Sequence, residues 1–492
     1  MGRKLLLRFW LQSICAMIIT SVLICACKGP SPNPLGENGE LNRTPVIFPD
    51  YRGVTIPGNI APLNFQIREE GELFRVILAG EKGKEIHLKA KGESVRISSK
   101  RWKRFLSENS GNNFEIRVSK KDSGKWQDFA PIVNRIARHP IDPVLVYRLI
   151  PPGYETWSSM GLYQRNLTTF RKKAVIENRY AEENCINCHA FAAGNPDFMM
   201  FHVRGSLGGT LIRKGEELKK ENLKRDETLS SGVYPSWHPS GEYIAFSTNK
   251  IEQYFHARTE KIIEVLDRHS DLILYNTTTG EISHVPGTKG DRYMETYPAW
   301  SPDGLYLYFS RSEATADTPY DSIRYDICRI AFDPVKNSFG DTKIIFKASA
   351  RDLSASMPRV SPDGKRLLCT VHNYGTFPIW HKEADLCVVD LDSMTFYIPE
   401  PINSNDTDSY HSWSANGRWV VFSSRRHDGR YTRLYISYVD EEGAFHKPFM
   451  LPQRNPDSNE HLFYSYNVPE LLGGSIDVTP RKWIRTLRSP AR

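Results

Sequence analysis

Past residue 26 the sequence has no long hydrophobic run, and its mean hydropathy is −0.47, which excludes a polytopic membrane protein. It also lacks the polar excess of a disordered chain, with 40% hydrophobic and 25% charged residues. No Gly-x-Ser-x-Gly elbow is present, so a serine nucleophile of that type is excluded. Neither a dinucleotide fingerprint nor a phosphate-cradling glycine loop is visible. The body of the chain lacks an excess charge of either sign. Of the formal +8, three charges come from Arg3, Lys4 and Arg8, and five from Arg481, Lys482, Arg485, Arg488 and Arg492. The remainder is neutral, which removes nucleic acid as an expected partner and confines any polyanion contact to the last dozen residues.

What is present points to a turn-rich β protein. Its 492 residues are enough for several domains, with 23 Tyr, 23 Phe and 10 Trp beside 33 Gly and 31 Pro. A basic start precedes the apolar stretch from Phe9 to Ala26, which ends at Ala26-Cys27. This stretch resembles a bacterial lipoprotein signal. The resemblance implies cleavage after residue 26, lipidation of Cys27, and a protein held in the cell envelope by an N-terminal lipid anchor, as a periplasmic or outer-membrane lipoprotein. An uncleaved N-terminal anchor is the alternative. Residues 27–45 have linker composition.

Export leaves Cys185, Cys188, Cys328, Cys369 and Cys387 in the body. Two of them fall in Cys185-Ile186-Asn187-Cys188-His189, the pattern of c-type haem attachment. At this spacing two thiols reach the two vinyl groups on one edge of a macrocycle, and the next imidazole serves as the proximal iron ligand. The expectation is one covalent haem c, with Cys185 and Cys188 as attachment points and His189 as metal ligand. A thioredoxin-like pair would need a βαβ setting, and a zinc site would need more ligands nearby. For the distal iron position, Met199, Met200 and His202 are each chemically capable, with Met160 as an outside candidate. Buried core filler is the competing role for every one of them. Arg204 is a candidate partner for a haem propionate.

The second half repeats itself. Tyr234-Pro235-Ser236-Trp237-His238-Pro239-Ser240-Gly241, Tyr297-Pro298-Ala299-Trp300-Ser301-Pro302-Asp303-Gly304, Met357-Pro358-Arg359-Val360-Ser361-Pro362-Asp363-Gly364 and Tyr410-His411-Ser412-Trp413-Ser414-Ala415-Asn416-Gly417 each precede an apolar strand. The steps are 63, 60 and 53 residues, longer than an ordinary propeller repeat. Asp-Gly, Asn-Gly and Ser-Gly are hairpin pairs, because glycine accepts positive φ. These segments resemble the repeats of TolB-like β-propellers over roughly residues 230–440. The resemblance implies a propeller over 198–475, with five or six blades once flanking strands are added, the segment 463–468 among them. His238 and His411, beside the repeat turns, are expected at the surface. Cys328 and Cys387 are expected as buried filler, and Cys369 and Cys387, on successive strands, as a candidate disulfide.

Residues 46–130 alternate as half-buried strands do and predict a small β-sandwich with one short helix carrying Trp102, Phe105 and Leu106. A second helix is expected over 128–138 from the spacing of Ile132 and Ile136. Residues 131–197 read as a connecting and haem-attachment segment, and 476–492 as a basic tail. The overall expectation is a mainly β, exported haem protein engaged in electron transfer or haem-based redox chemistry, with a redox or envelope protein as partner. A non-catalytic propeller scaffold with a structural or sensory haem is the alternative, and a haem peroxidase or dehydrogenase the third. Whether the protein is an enzyme stays open at this point.

Overall fold

The computed structural model describes residues 39–90, 92–151, 159–256, 263–290, 292–313 and 317–492. The expected signal over 1–26, Cys27 and most of the linker lie outside the described residues. No helix among the described residues is long and apolar enough to cross a membrane.

The N-terminal module pairs a seven-stranded sheet with a three-stranded one (Ile47–Phe48, Phe65–Ile67, Ser94–Val95). Helix α1, Ser99–Glu108, closes it and buries Trp102, Phe105 and Leu106, the face the sequence predicts. The second expected helix is corrected. Residues 128–138 run through the strands Lys125–Phe129 and Ile132–Ala137 instead. Ile132 and Ile136 are four apart on a helix face, but they are also two strand steps apart. Asn134 between them is buried and accepts the Val54 N–H through its Oδ1 at 2.9 Å, which settles the period at two.

The remaining strands form six four-stranded sheets. Sheet I holds Cys185–Ala192, Asn195–Arg204, Gly209–Lys214 and Glu217–Glu221. Sheet II holds Val233–Trp237, Tyr243–Phe255, Ile263–Asn276 and Ile282–His284. Sheet III comprises Met294–Trp300, Tyr306–Ser312, Asp326–Asp333 and Ser338–Phe346. Sheet IV comprises Ser354–Val360, Arg366–His372, Asp385–Asp390 and Phe396–Tyr397. Sheet V consists of Asp408–Trp413, Trp419–Ser424, Arg433–Tyr438 and Phe449–Met450. In sheet VI the first and last strands of this six-sheet region meet. Its inner strand, Ser465–Leu472, pairs antiparallel with Val144–Ile150, followed by Gly161–Asn166 and Lys172–Glu177.

Neighbouring sheets share apolar clusters in chain order, and sheet VI packs against sheet I through Val146, Leu162, Leu472, Ile186 and Phe201. This is a propeller-like, mainly β ring. It starts at Val144 rather than at 198, so the segment expected as a connector supplies three strands of one sheet and the inner strand of the next. The basic tail is corrected as well. Helix α2, Pro480–Leu487, buries Trp483 and Leu487, and Trp483 meets the Phe201 ring edge-on with centroids 4.9 Å apart.

The N-terminal module is continuous with this ring. Its core runs on into Trp419, Val421, Leu434 and Ile436 of sheet V, and Trp419 Nε1 donates to the His139 carbonyl at 3.2 Å. Cys369 and Cys387 are cross-strand partners in sheet IV, both fully buried, and carry free thiols, so the candidate disulfide is not formed.

Candidate functional site

The six inner strands share one backbone device. Each has a register irregularity against its neighbour. Each also places one non-glycine residue in the left-handed region: Cys188 (φ 50°), Tyr234 (49°), Tyr297 (52°), Met357 (55°), Tyr410 (44°) and Val468 (47°). Left-handed backbone is costly for such residues, above all for β-branched Val468, and persists only where the surrounding fold enforces it. Six occurrences at equivalent places make it a property of the ring. Cys188 therefore occupies the repeat position filled elsewhere by Tyr, Met or Val. Tyr297, Met357 and Tyr410 from these positions pack together with Ile379, against Tyr234 and Val468. The motif from Cys185 to His189 thus lies on the innermost strand of sheet I, extended except at left-handed Cys188, at the ring's axis.

His189 follows Cys188, as His411 follows Tyr410, while proline follows the left-handed residue in the other four sheets. Both histidines are buried, at 3% and 4% exposure. His238 is buried too, bonded through Nε2 to the Gly304 carbonyl at 3.0 Å, so the expected surface placement of His238 and His411 is corrected. His238 directly follows its inner strand and His411 lies within one, and both bond a carbonyl of a neighbouring sheet's segment.

Among the described residues the two equivalent histidines leave different ring nitrogens unpartnered, Nδ1 in His411 and Nε2 in His189. His411 Nε2 bonds the Leu368 carbonyl at 3.0 Å. His189 Nε2 has no hydrogen-bond partner among the described residues and stands 3.6 Å from Glu470 Oε1. Burial, reinforced by the positive charge of Arg148, holds the His189 imidazole down to about 3, so it is neutral and its free nitrogen keeps a lone pair. Glu470 is pushed up to about 8 by burial, against the pull of Arg359, and faces His189 as a neutral acid at pH 7. The Cys185 thiol is buried and raised by desolvation, opposed by Arg148 and Arg204, while Cys188 is partly exposed at the axis. Both thiols are free. Two free thiols and a neutral, unpartnered imidazole nitrogen fit the proximal half of a c-type haem site.

The expected distal residues are not assembled with this half. Met199 and Met200 are fully buried on opposite faces of sheet I, Met199 with Phe201 and Val203, Met200 with Ala190 and Trp237. His202 lies on the Met200 side by strand alternation, with Nδ1 3.0 Å from Thr210 Oγ1. His189 lies on the other side, toward sheet VI, its ring 6.1 Å from that of Phe191. Met200 and His202 are therefore corrected to core positions facing sheet II, and Met199 packs as filler on the His189 side. Met160, the outside candidate, is the thioether that touches the motif, with Sδ accepting the Ile186 N–H at 3.2 Å. Arg204 is exposed at its strand end.

A second polar constellation escaped the sequence reading. Tyr374 donates to Glu264 Oε2 at 2.9 Å. His381 places Nε2 3.4 Å from Glu264 and Nδ1 3.2 Å from Glu383. It ties the long hairpin of sheet II to the loop after Arg366–His372. Nothing in local sequence joins residues more than a hundred positions apart. Among the described residues no group of three or more His, Cys, Asp or Glu side chains is placed to hold a metal ion.

No family model matches the chain, and no curated protein matches it. Among solved structures it is similar to prolyl oligopeptidase B from Galerina marginata, at 11% identity and a TM-score of 0.36, over 68% of this chain and 42% of that one. Dipeptidyl peptidase 4 from Porphyromonas gingivalis matches at 11% identity and a TM-score of 0.33, over 61% of this chain and 46% of that one. The NanB sialidase from Streptococcus pneumoniae matches at 12% identity and a TM-score of 0.24, over 80% of this chain and 64% of that one. The chain spans less than half the length of the two peptidases.

Proposed function

We propose that this chain is an exported, lipid-anchored c-type haem protein that exchanges electrons with an envelope redox partner, built on a six-bladed TolB-like propeller. The observation that carries the reading is the Cys185–His189 motif with free thiols and an unpartnered, neutral His189 Nε2. A haem bound there supplies one-electron exchange at iron. Cys185 and Cys188 would hold it by adding their thiols across its two vinyl groups, each S–H hydrogen passing to a vinyl carbon. His189 would offer Nε2 as the proximal ligand, kept neutral by burial. Phe191 and Glu470 flank that imidazole.

The test is expression of the full chain with haem-maturation machinery. A thioether-haem absorbance spectrum, and haem staining that survives denaturation and disappears in C185S/C188S, are the expected results. Haem-free protein under those conditions would defeat the reading.

One observation favours a second reading. Cys188 and His189 occupy repeat positions that the other sheets fill with purely structural residues, His411 included. On this reading the ring is a non-catalytic binding scaffold and any haem is structural or sensory. A haem iron that no donor reduces would favour it.

A further inference from the structure

Two arginines stand at the axial mouth where Cys188 lies. Arg148 is on Val144–Ile150 of sheet VI, and Arg425 follows Trp419–Ser424 of sheet V. Each is only 9% exposed. The Nε of each has no hydrogen-bond partner, and neither guanidinium has a carboxylate at ion-pair distance, among the described residues. Asp406 and Asp428 attract Arg425 from beyond ion-pair distance, but a buried cation with no carboxylate in contact is expensive, and a ligand carboxylate would supply the missing contact.

Their surroundings are shared. Arg148 Nη1 donates to Asn187 Oδ1 inside the motif, and the same oxygen accepts the Cys188 N–H at 2.8 Å. Arg425 lies over the Trp380 ring, 4.1 Å from its centroid. Between the two arginines the left-handed positions of sheets V, VI and I carry Tyr410, Val468 and Cys188. The Tyr410 hydroxyl, raised chiefly by burial, feels Arg148, Cys188 and Arg425 together. Burial brings Arg425 down to about 10, which still leaves it charged at neutral pH. Ser409 Oγ and Asn467 Oδ1, on the inner strands of sheets V and VI, are buried and unpartnered as well.

We propose that Arg148 and Arg425 form a carboxylate clamp, each guanidinium fork taking one carboxylate of a ligand seated in the axial mouth beside Cys188. A planar fork matches a carboxylate in two parallel hydrogen bonds, which a lysine cannot do. Resting on the haem reading, the carboxylates are the two propionates, a role that passes from exposed Arg204 to buried Arg148. A free dicarboxylate shares the same chemistry.

The experiment uses the full chain carrying C185S/C188S, so that binding is reversible. It is titrated with haemin, with haemin dimethyl ester, whose propionates are masked, and with succinate. Haemin is expected to bind at least about tenfold tighter than the ester, the value of one good charged hydrogen-bond pair, and R148Q/R425Q should erase that preference. Succinate binding that R148Q/R425Q abolishes, without discrimination between haemin and ester, assigns the clamp to a free dicarboxylate. Equal affinity for haemin and ester, with no arginine-dependent succinate binding, overturns the clamp. If the glutamine variant does not fold, R148K/R425K replaces it; a weakened haemin preference supports the clamp and an unchanged one overturns it. Preserved ester discrimination in this variant, beside a parent chain with both cysteines that never acquires covalent haem, would sink the haem reading and leave the clamp standing.

Discussion

At the scale of single residues, the repeat turns show how one glycine can carry more than its neighbour in an equivalent place. Gly304 and Gly364 both close Asp-Gly turns with φ near +74° and +73°. A Cβ at Gly304 would come within 2.3 Å of His238 Nε2, whereas a Cβ at Gly364 meets nothing within 4 Å. Alanine at Gly364 then costs only the left-handed backbone, about 1 kcal/mol. Alanine at Gly304 adds displacement of His238 from its bond to the Gly304 carbonyl and should cost about 3 kcal/mol. Urea unfolding of G304A and G364A against the parent checks the difference, and equal losses would refute it. The same scale shows what the sequence revealed of the site. The five-residue motif singled out Cys185, Cys188 and His189 because its spacing is chemical. It said nothing of Arg148, Arg425 or Glu470, which reach the motif from other sheets. Two of the distal candidates stand away from His189 for a related reason. Proximity along one strand says nothing of which face a side chain takes, and Met200 and His202 alternate to the face opposite His189.

At the scale of elements, a segment's charge and its fold turned out to be separate properties. Residues 480–487 read as tail because five basic residues cluster near the end, yet Trp483 and Leu487 fall on one helical face and are buried. Thr479 caps the helix by accepting the Lys482 N–H, and Pro480 occupies the first turn, where its missing donor costs nothing. The end of the chain is pinned further by Lys220, whose Nζ donates to the Leu487 carbonyl at 2.9 Å and whose own carbonyl accepts the Arg492 N–H at 3.0 Å. W483A should therefore cost about 3–5 kcal/mol, as for other fully buried large-to-small changes, while charge reversal at exposed Arg481 should cost almost nothing. Thermal melts of W483A and R481E test the pair; a silent W483A would return these residues to the status of a tail. The strand 132–137 teaches the converse, since a spacing of four between isoleucines satisfies both periods and only the partner of Asn134 decides.

At the scale of the whole molecule, four sheets were legible as repeats and two only as flanking strands, and the reason is contact order. Sheets II to V announce themselves through a tight turn and an apolar strand within one local segment. Sheet I turns through Ala193 and Gly194, both at positive φ, where alanine gives no warning of a hairpin. Sheet VI shows its closing strand near 463–468 but not that strand's partner, because Ser465–Leu472 pairs with Val144–Ile150 more than three hundred residues earlier. This pairing makes the ring's integrity depend on its last inner strand. A chain ending before Ser465 would leave an open edge on Val144–Ile150 and expose Val144, Val146 and Ile186. It would also remove Val468 and Asn467 from the axial mouth, together with Glu470 beside His189. Such a truncation should lose cooperative unfolding, associate through its open edge and become sensitive to protease within 144–177. Supplying residues 465–492 as a separate peptide should restore protection if the closure is as the pairing indicates. Limited proteolysis with and without the peptide, read beside sedimentation of the truncated chain, tests this. A truncated chain that stays monomeric and unfolds as sharply as the parent would mean that sheets I to V close the ring without the sixth.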